Sequence, residues 1–137
     1  MSLDPQVAEL LDRPNFVHVA TLMKDGSPHS VAVWAGTVDG DKVALFTQPG
    51  SLKARNVRRD GRVAMSVVDH DVPYRTAQLR GHLVEVREGE AALEVMDVFS
   101  VRHTGEPFPY RSGELYVFEV DWSRYTELAF ERDTSKA

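Results

Sequence analysis

The chain contains no cysteine, and this absence removes several kinds of chemistry at once. Disulfides, thiolate nucleophiles, iron–sulfur clusters and cysteine-ligated zinc are excluded. Redox activity would therefore need a bound cofactor, because the remaining side chains do not transfer hydrides. Long hydrophobic runs are missing too: none approaches the roughly 18 residues that a membrane-spanning helix needs. The acidic start of the chain lacks a signal-peptide core, so we expect a cytoplasmic protein with no membrane partner.

Positive charge is scarce overall, and the formal net charge of −5 argues against nucleic-acid binding by bulk electrostatics. The five histidines lie on separate segments without the spacing of metal ligands, so no metal site is expected. With 137 residues, 42% of them hydrophobic, the chain has the size and composition of one globular domain. We expect this domain to span residues 1–137, with its core over about residues 14–130.

Short apolar runs alternate with turn signals along most of the sequence, which is typical of a β protein built from hairpins. Strands are expected at 16–23, 29–38, 42–47, 62–68, 74–86 and 114–122, with a seventh if 125–130 adds a short extension. Helices are expected from Asp4 to near Pro14, at 51–59 and at 89–103, the second ending with Gly61 in a left-handed conformation. So many strands with little helix favour a closed antiparallel barrel, because closure removes exposed sheet edges.

One segment, Phe46 to Arg62 (FTQPGSLKARNVRRDGR), combines the end of a strand with the start of a basic helix. The strand ends in Thr47, a Pro-Gly turn follows, and Ser51 begins the helix. A helix N-terminus presents unpaired N–H groups and the positive end of the helix dipole, which suit a phosphate. Ser51 adds a hydroxyl and Lys53 a compact positive charge. The segment therefore predicts a phosphate site, although it is not a P-loop, since the glycine spacing and the Lys-Ser/Thr pair are absent.

The same helix carries an arginine stripe, formed by Arg55, Arg58, Arg59 and Arg62, which fall within one arc at 100° per residue. Residues 53–62 carry a local charge of +4, which leaves −9 on the rest of the chain. Two interpretations are open. The arginines form an ordinary solvated face that pairs with the acidic body, or they contact an anionic ligand.

Three segments together resemble one known family. They read PNFVHVATLMKDGSPHSVAVWAG, KVALFTQPGSLKARNVRRDGRVAMSV and VPYRTAQLRGHLVEV, and their order is similar to that in the split β-barrel flavin and deazaflavin oxidoreductases, relatives of pyridoxamine 5′-phosphate oxidase. The resemblance covers about residues 14–130 and is closest to the branch that uses coenzyme F420, a deazaflavin with a phosphate and a polyglutamyl tail. It implies a mainly β fold: a six-stranded antiparallel split β-barrel of the FMN-binding type, with about three helices. It also implies a homodimer with cofactor clefts at the interface.

The resemblance further implies roles for residues that match the family motifs. The cofactor phosphate would be held by Thr47, Ser51 and Lys53, with Asn56 in the same motif as a binding or structural residue. The tricyclic ring would lie beside the strand of Val31, Val33 and Trp34. The partner subunit would approach the cofactor near Tyr74, Arg75 and Thr76. The polyglutamyl tail would be attracted by Arg55 and Arg59, together with Arg58 of the arginine stripe.

These features predict an F420-binding oxidoreductase that transfers a hydride between the deazaflavin and a small unsaturated or conjugated substrate, with no assigned catalytic residue. Leu52 stands where the oxidase has an arginine, and the oxidase's C-terminal substrate motif is not evident, so oxidation of pyridoxamine phosphate is not expected. Two alternatives remain open. One is an FMN-binding oxidoreductase of the same fold, and the other is a carrier or sensor that binds a deazaflavin or tetrapyrrole without turnover.

Overall fold

A computed structural model describes residues 3–129 of the chain, so residues 1–2 and 130–137 of the expected domain lie outside the described residues. Three helices and seven strands follow one another along this range. In chain order they are α1 (Pro5–Asp12), β1 (Val17–Leu22), β2 (Pro28–Val33), β3 (Ala35–Val38), β4 (Lys42–Thr47), α2 (Leu52–Arg59), β5 (Arg62–Val68), β6 (Arg75–Arg87), α3 (Gly89–Thr104) and β7 (Glu114–Glu127).

All seven strands belong to one antiparallel sheet, whose order is β2-β1-β5-β6-β7-β4-β3. The two edge strands, β2 and β3, are consecutive in the chain and are separated by Trp34 alone. The sheet must therefore curl until its two edges meet at this residue. This architecture confirms the expected mainly β, split-barrel fold.

The strand count is seven rather than the expected six because the predicted strand 29–38 is divided at Trp34. Residues up to Val33 pair with β1, whereas residues from Ala35 onward pair with β4 on the far side of the sheet. One extended segment therefore forms both edge strands of the sheet. A period-two pattern of apolar residues does not reveal such a change of partner.

Two hydrophobic clusters bury both faces of β4 and of the start of β7. The cluster inside the curl contains Val19, Leu79 and Phe118, and the second lies where α3 packs against the outer side of the sheet. On β4 the side chains alternate between the clusters, since Leu45 belongs to the first and Ala44 to the second. This double burial explains why β4 and the start of β7 are apolar at consecutive positions.

The N-termini of α1 and α2 follow capping rules, but one predicted C-terminus differs. The carboxylate of Asp4 accepts a hydrogen bond from the Gln6 N–H at 2.7 Å and Pro5 occupies the first turn, as predicted for α1. At the end of α2, Asp60 is extended and Gly61 does not have a positive φ, so the left-handed ending predicted for Gly61 is wrong. Gly61 instead allows close packing, because a Cβ there would lie 3.1 Å from the Cβ of Leu83.

Candidate functional site

The end of β4 and the start of α2 form a compact set of hydrogen-bonding groups, which we call the phosphate seat and define by Thr47, Ser51 and Lys53. Gly50 has a φ of 80°, which lets the chain turn sharply out of the strand. The Ser51 hydroxyl oxygen accepts a hydrogen bond from the Ala54 N–H at 3.2 Å and lies 2.9 Å from the buried Thr47 hydroxyl. The strand end and the helix cap are therefore held together.

The capping bond leaves two backbone donors at the start of α2. The N–H groups of Leu52 and Lys53 have no intrahelical partner, since Ser51 satisfies Ala54 and the helix ladder begins at Arg55. The half-buried Lys53 ammonium pairs with no carboxylate among residues 3–129. Burial lowers the pKa of Lys53. A half-buried cation beside free N–H donors has the chemistry of an anion site.

Asn56 lies behind the phosphate seat and contacts the body of the protein. Its side chain is buried, and its amide nitrogen donates a hydrogen bond to the Thr21 hydroxyl at 3.0 Å. Its amide oxygen accepts a hydrogen bond from Arg59 at 2.8 Å. The structure thus places Asn56 as a link between α2 and β1, where it fixes the orientation of the helix.

The arginine stripe divides into residues that pair with the chain's own carboxylates and residues that do not. Arg58 donates to the buried Glu114 carboxylate at 2.5 Å, and Arg62 pairs with Asp60 at 2.8 Å. Arg59 donates to the Leu22 carbonyl at 2.9 Å. Arg55 is exposed and makes no ion pair with the described residues. The surface that remains for an external anion is therefore Arg55, with Arg59 beside it.

Glu114 and Tyr116 were not predicted from the sequence, yet they anchor α2 to β7. The Tyr116 hydroxyl donates to the Glu114 carboxylate at 2.6 Å, and Arg58 contacts both residues. The bond from Tyr116 lowers the pKa of Glu114, although burial opposes the shift. Burial and the neighbouring carboxylate raise the pKa of Tyr116. No local signal marks these residues, because they meet Arg58 only through the pairing of β4 with β7.

The strand expected beside the cofactor ring lies at the edge of the sheet. Within residues 3–129, β2 pairs with β1 alone, and Val31 and Val33 pack half-buried against the barrel core. Trp34 packs instead against the α3 cluster, with its ring 6.1 Å from Phe46 in an edge-on contact. Phe46 directly precedes Thr47 in β4, but the two side chains point to opposite faces of the strand.

Tyr74, Arg75 and Thr76 are not brought to the phosphate seat within one chain. Thr47 pairs with Glu114 at the start of β7, whereas Arg75 pairs with Glu127 at its end. The fourteen residues of β7 correspond to about 40 Å along the curved strand. Arg75 is also bound to the Glu127 carboxylate at 2.9 Å, which raises its pKa. A role for these residues near the cofactor stays a prediction and would involve a second copy of the chain.

The sequence predicts no role for His103, but the structure stacks it on Trp34. The ring centroids are 4.8 Å apart and the planes differ by 7°. Phe16 lies against the same imidazole at 5.6 Å. The contact joins the end of α3 to the junction of β2 and β3, so only the three-dimensional arrangement reveals it.

Two further properties concern the part of the chain that the structure describes. Within residues 3–129, no group of three or more histidines and carboxylates is placed to hold a metal ion. None of the helices in that range has the length and apolar character needed to cross a membrane.

Comparison with known proteins identifies the family of the chain. The sequence model of the family described as "Pyridoxamine 5′-phosphate oxidase" matches residues 3–129. The chain belongs to this family. A curated relative, the pyridoxine/pyridoxamine 5′-phosphate oxidase of Vibrio vulnificus (strain YJ016), is 28% identical over 100 residues. That match covers 73% of this chain and 45% of the relative, so the chain spans less than half of that protein.

Solved structures show the same fold. An F420 reductase is similar with a TM-score of 0.73 and 28% identity, over 85% of this chain and 94% of that one. A conserved hypothetical protein from Mycobacterium tuberculosis has a TM-score of 0.77 and 23% identity, over 100% of this chain and 96% of that one. The second likeness concerns the fold alone. Family relatives with named activities are oxidoreductases, one named for pyridoxine/pyridoxamine 5′-phosphate and one for F420.

Proposed function

We propose that the protein is an oxidoreductase that binds coenzyme F420 and transfers a hydride between this deazaflavin and a small conjugated substrate. The observation that carries the proposal is Lys53, a half-buried cation without a carboxylate partner among the described residues, beside free N–H groups and two hydroxyls. This donor set fits the phosphate that flavin-type cofactors share. The cofactor supplies the hydride chemistry when bound, and the chain binds and orients it.

In this proposal each part of the site has a separate task. Thr47, Ser51 and Lys53 hold the phosphate, while Asn56 and the Arg58–Glu114–Tyr116 network keep α2 in place. Val31, Val33 and Trp34 lie along the ring at the free edge of β2. Fixed donors of this kind hold the ring in one orientation and thereby reduce the entropy cost of the reaction.

Two observations favour F420 over FMN. Leu52 offers no charge at the position where the oxidase has an arginine, which leaves fewer cations for an FMN phosphate site of that type. Arg55 is exposed beside the seat and has no carboxylate partner among residues 3–129, so it is available to the polyglutamyl tail that only F420 carries. The 28% identity to an F420 reductase is consistent with this choice.

The proposal includes a homodimer, for which the sheet offers an exposed surface. The outer face of β1, β5, β6 and β7, which we call the open sheet face, exposes small side chains such as Ala64 and Ser66. Grooves of about 580 and 520 Å³ run along it and share Arg80 and Trp122. The Arg80 guanidinium lies 4.6 Å from the Trp122 ring. A face of small residues that also carries the Trp122 ring suits close approach of a second copy.

Equilibrium titration with F420 and with FMN, followed by consumption of reduced F420, tests the proposal. We expect F420 to bind at least tenfold more tightly than FMN, and reduced F420 to be consumed when conjugated carbonyl acceptors are added. If FMN binds more tightly than F420, the proposed cofactor becomes FMN. Tight binding of F420 without turnover on any electrophilic acceptor would point to a carrier instead of an enzyme.

A further inference from the structure

A groove of about 710 Å³ opens beside Trp34, outside the phosphate seat. Four separate segments line it: the start of β1, the junction of β2 and β3, the loop after β5 and the end of α3. Its volume lies in the range of pockets that enclose a small organic molecule. Trp34 lines this groove and is also one of the residues proposed to lie along the cofactor ring. The groove is therefore adjacent to the place proposed for the cofactor ring.

Flat rings form one wall of the groove. Trp34 and His103 stack with centroids 4.8 Å apart and planes 7° from parallel. Phe16 lies 5.6 Å from the imidazole and leaves 60% of its surface exposed, although it is a large hydrophobic residue. Exposed aromatic faces beside a stacked pair favour a planar, conjugated occupant, because such rings prefer offset stacking or edge contacts.

The groove carries little charge, in contrast to the phosphate seat. Among the described residues, the one permanently charged group that lines it is Asp69, whose carboxylate accepts from the Asp71 N–H at 2.9 Å and pairs with Arg13 at 3.1 Å. Burial and the nearby Arg102 lower the pKa of His103, which favours its neutral imidazole. The neutral walls disfavour an anionic ligand.

Hydrogen-bonding groups are nevertheless present. His18 and His70 line the groove. An imidazole ring offers at least one N–H donor. An oxygen acceptor on the occupant, such as a carbonyl or nitro oxygen, would meet the imidazoles of His18 and His70.

We propose that this groove is the substrate pocket and that it takes neutral, planar, conjugated molecules bearing an oxygen acceptor, which stack against Trp34 and His103. The assignment of the occupant as a substrate rests on the proposed function, since it places the molecule next to the cofactor ring. Binding of such a molecule does not depend on the proposed function, because the groove supplies the aromatic surface without the cofactor.

The chain contains two tryptophans, Trp34 in the groove and Trp122 on the open sheet face, so fluorescence can test the proposal. The Trp122→Phe variant leaves Trp34 as the only reporter, and the Trp34→Phe variant leaves Trp122. The probe is 1,4-naphthoquinone, and its saturated counterpart is decahydronaphthalene-1,4-dione. We expect saturable quenching by the quinone in Trp122→Phe and only linear, collisional quenching in Trp34→Phe.

Two further measurements make the test specific. In the Trp122→Phe background, His103→Leu should weaken quinone binding about fivefold to tenfold, the size expected for one aromatic contact. Phe16→Ala, at an exposed position that tolerates truncation, should also weaken it. Calorimetry should show that the saturated diketone binds at least tenfold more weakly than the quinone. Linear quenching in both single-tryptophan proteins, or equal affinity for the two diketones, would overturn the substrate pocket.

This outcome is separable from the cofactor proposal. The probe is titrated without cofactor, whereas F420 and FMN affinities are measured on the same variants. Failure of quinone binding with intact F420 binding would refute only the pocket. Loss of F420 binding in unaltered protein with intact quinone binding would refute only the proposed function.

Discussion

Replacement of Lys53 by methionine is the most direct perturbation of the phosphate seat. Methionine keeps an unbranched apolar chain of similar length and removes only the charge. Because Lys53 is half-buried and lacks a carboxylate partner among residues 3–129, its ammonium stabilises no described ion pair. The substitution should therefore leave the free energy of unfolding of the cofactor-free protein unchanged or slightly higher.

The effect on binding should be large. A hydrogen bond between a charged donor and a phosphate contributes about 1.5–3 kcal/mol. Since each 1.4 kcal/mol corresponds to a factor of ten, Lys53→Met should weaken cofactor binding by about 10-fold to 150-fold. Fluorescence titration with F420 and with FMN measures this loss. The pKa of Lys53 is lowered by burial, so affinity should fall as the pH rises through that lowered value, and this fall should be absent in the variant.

Lys42→Met provides a matched control away from the phosphate seat. Lys42 lies at the start of β4, the end away from Thr47, and its nearest carboxylate is that of Asp41 at 3.6 Å. The Lys42→Met variant loses the same single positive charge, so the net charge of the protein changes equally in both variants. Equal cofactor affinities for Lys53→Met, Lys42→Met and the unaltered protein would refute the phosphate seat.

Three other perturbations have defined outcomes. Glu114→Gln should lower the free energy of unfolding by about 1–3 kcal/mol at pH 7. The pKa of Glu114 is lowered in the fold, so the stability that its carboxylate provides is present at neutral pH and is lost as the pH falls through that lowered pKa. Urea unfolding at pH 7 and pH 3 measures this loss, with Glu119→Gln at an exposed position as the control. Arg55→Glu should weaken long-tailed F420 at low salt while FMN affinity stays the same, and equal losses for both cofactors would contradict a contact with the tail. Ala64→Glu on the open sheet face should convert a dimer to monomers in sedimentation velocity, because it would place a carboxylate on each copy in the proposed interface; an unchanged sedimentation coefficient would place the interface elsewhere.

Residues close in sequence explain why parts of the fold were predictable. Asp4 before Pro5, and Ser51 three residues before Ala54, are local capping patterns, and both helices begin where these patterns place them. The candidate seat could be proposed for the same reason, since Thr47, Ser51 and Lys53 lie within seven residues of one another in the sequence.

Features that depend on distant contacts were not predictable. The division at Trp34 arises because the two halves of one extended run pair with different strands. Gly61 resembled a helix terminator, but its role is set by Leu83, which approaches from β6. His103 and Glu114 become site residues only after the sheet has curled and brought α3 and β7 beside them. Burial of a polar group with a partner far along the chain leaves no periodic trace in the sequence.

The groove and the phosphate seat differ in how the chain builds them, and this difference affects how the protein can diversify. The seat comes from one continuous stretch, so a change there disturbs the cap, the helix and the cofactor contacts together. The groove comes from four segments, two of which are the loop around His70 and the end of α3 at His103. We expect relatives of this chain to exchange groove residues freely while they keep the seat. Selectivity for new molecules can thus evolve without rebuilding the redox centre.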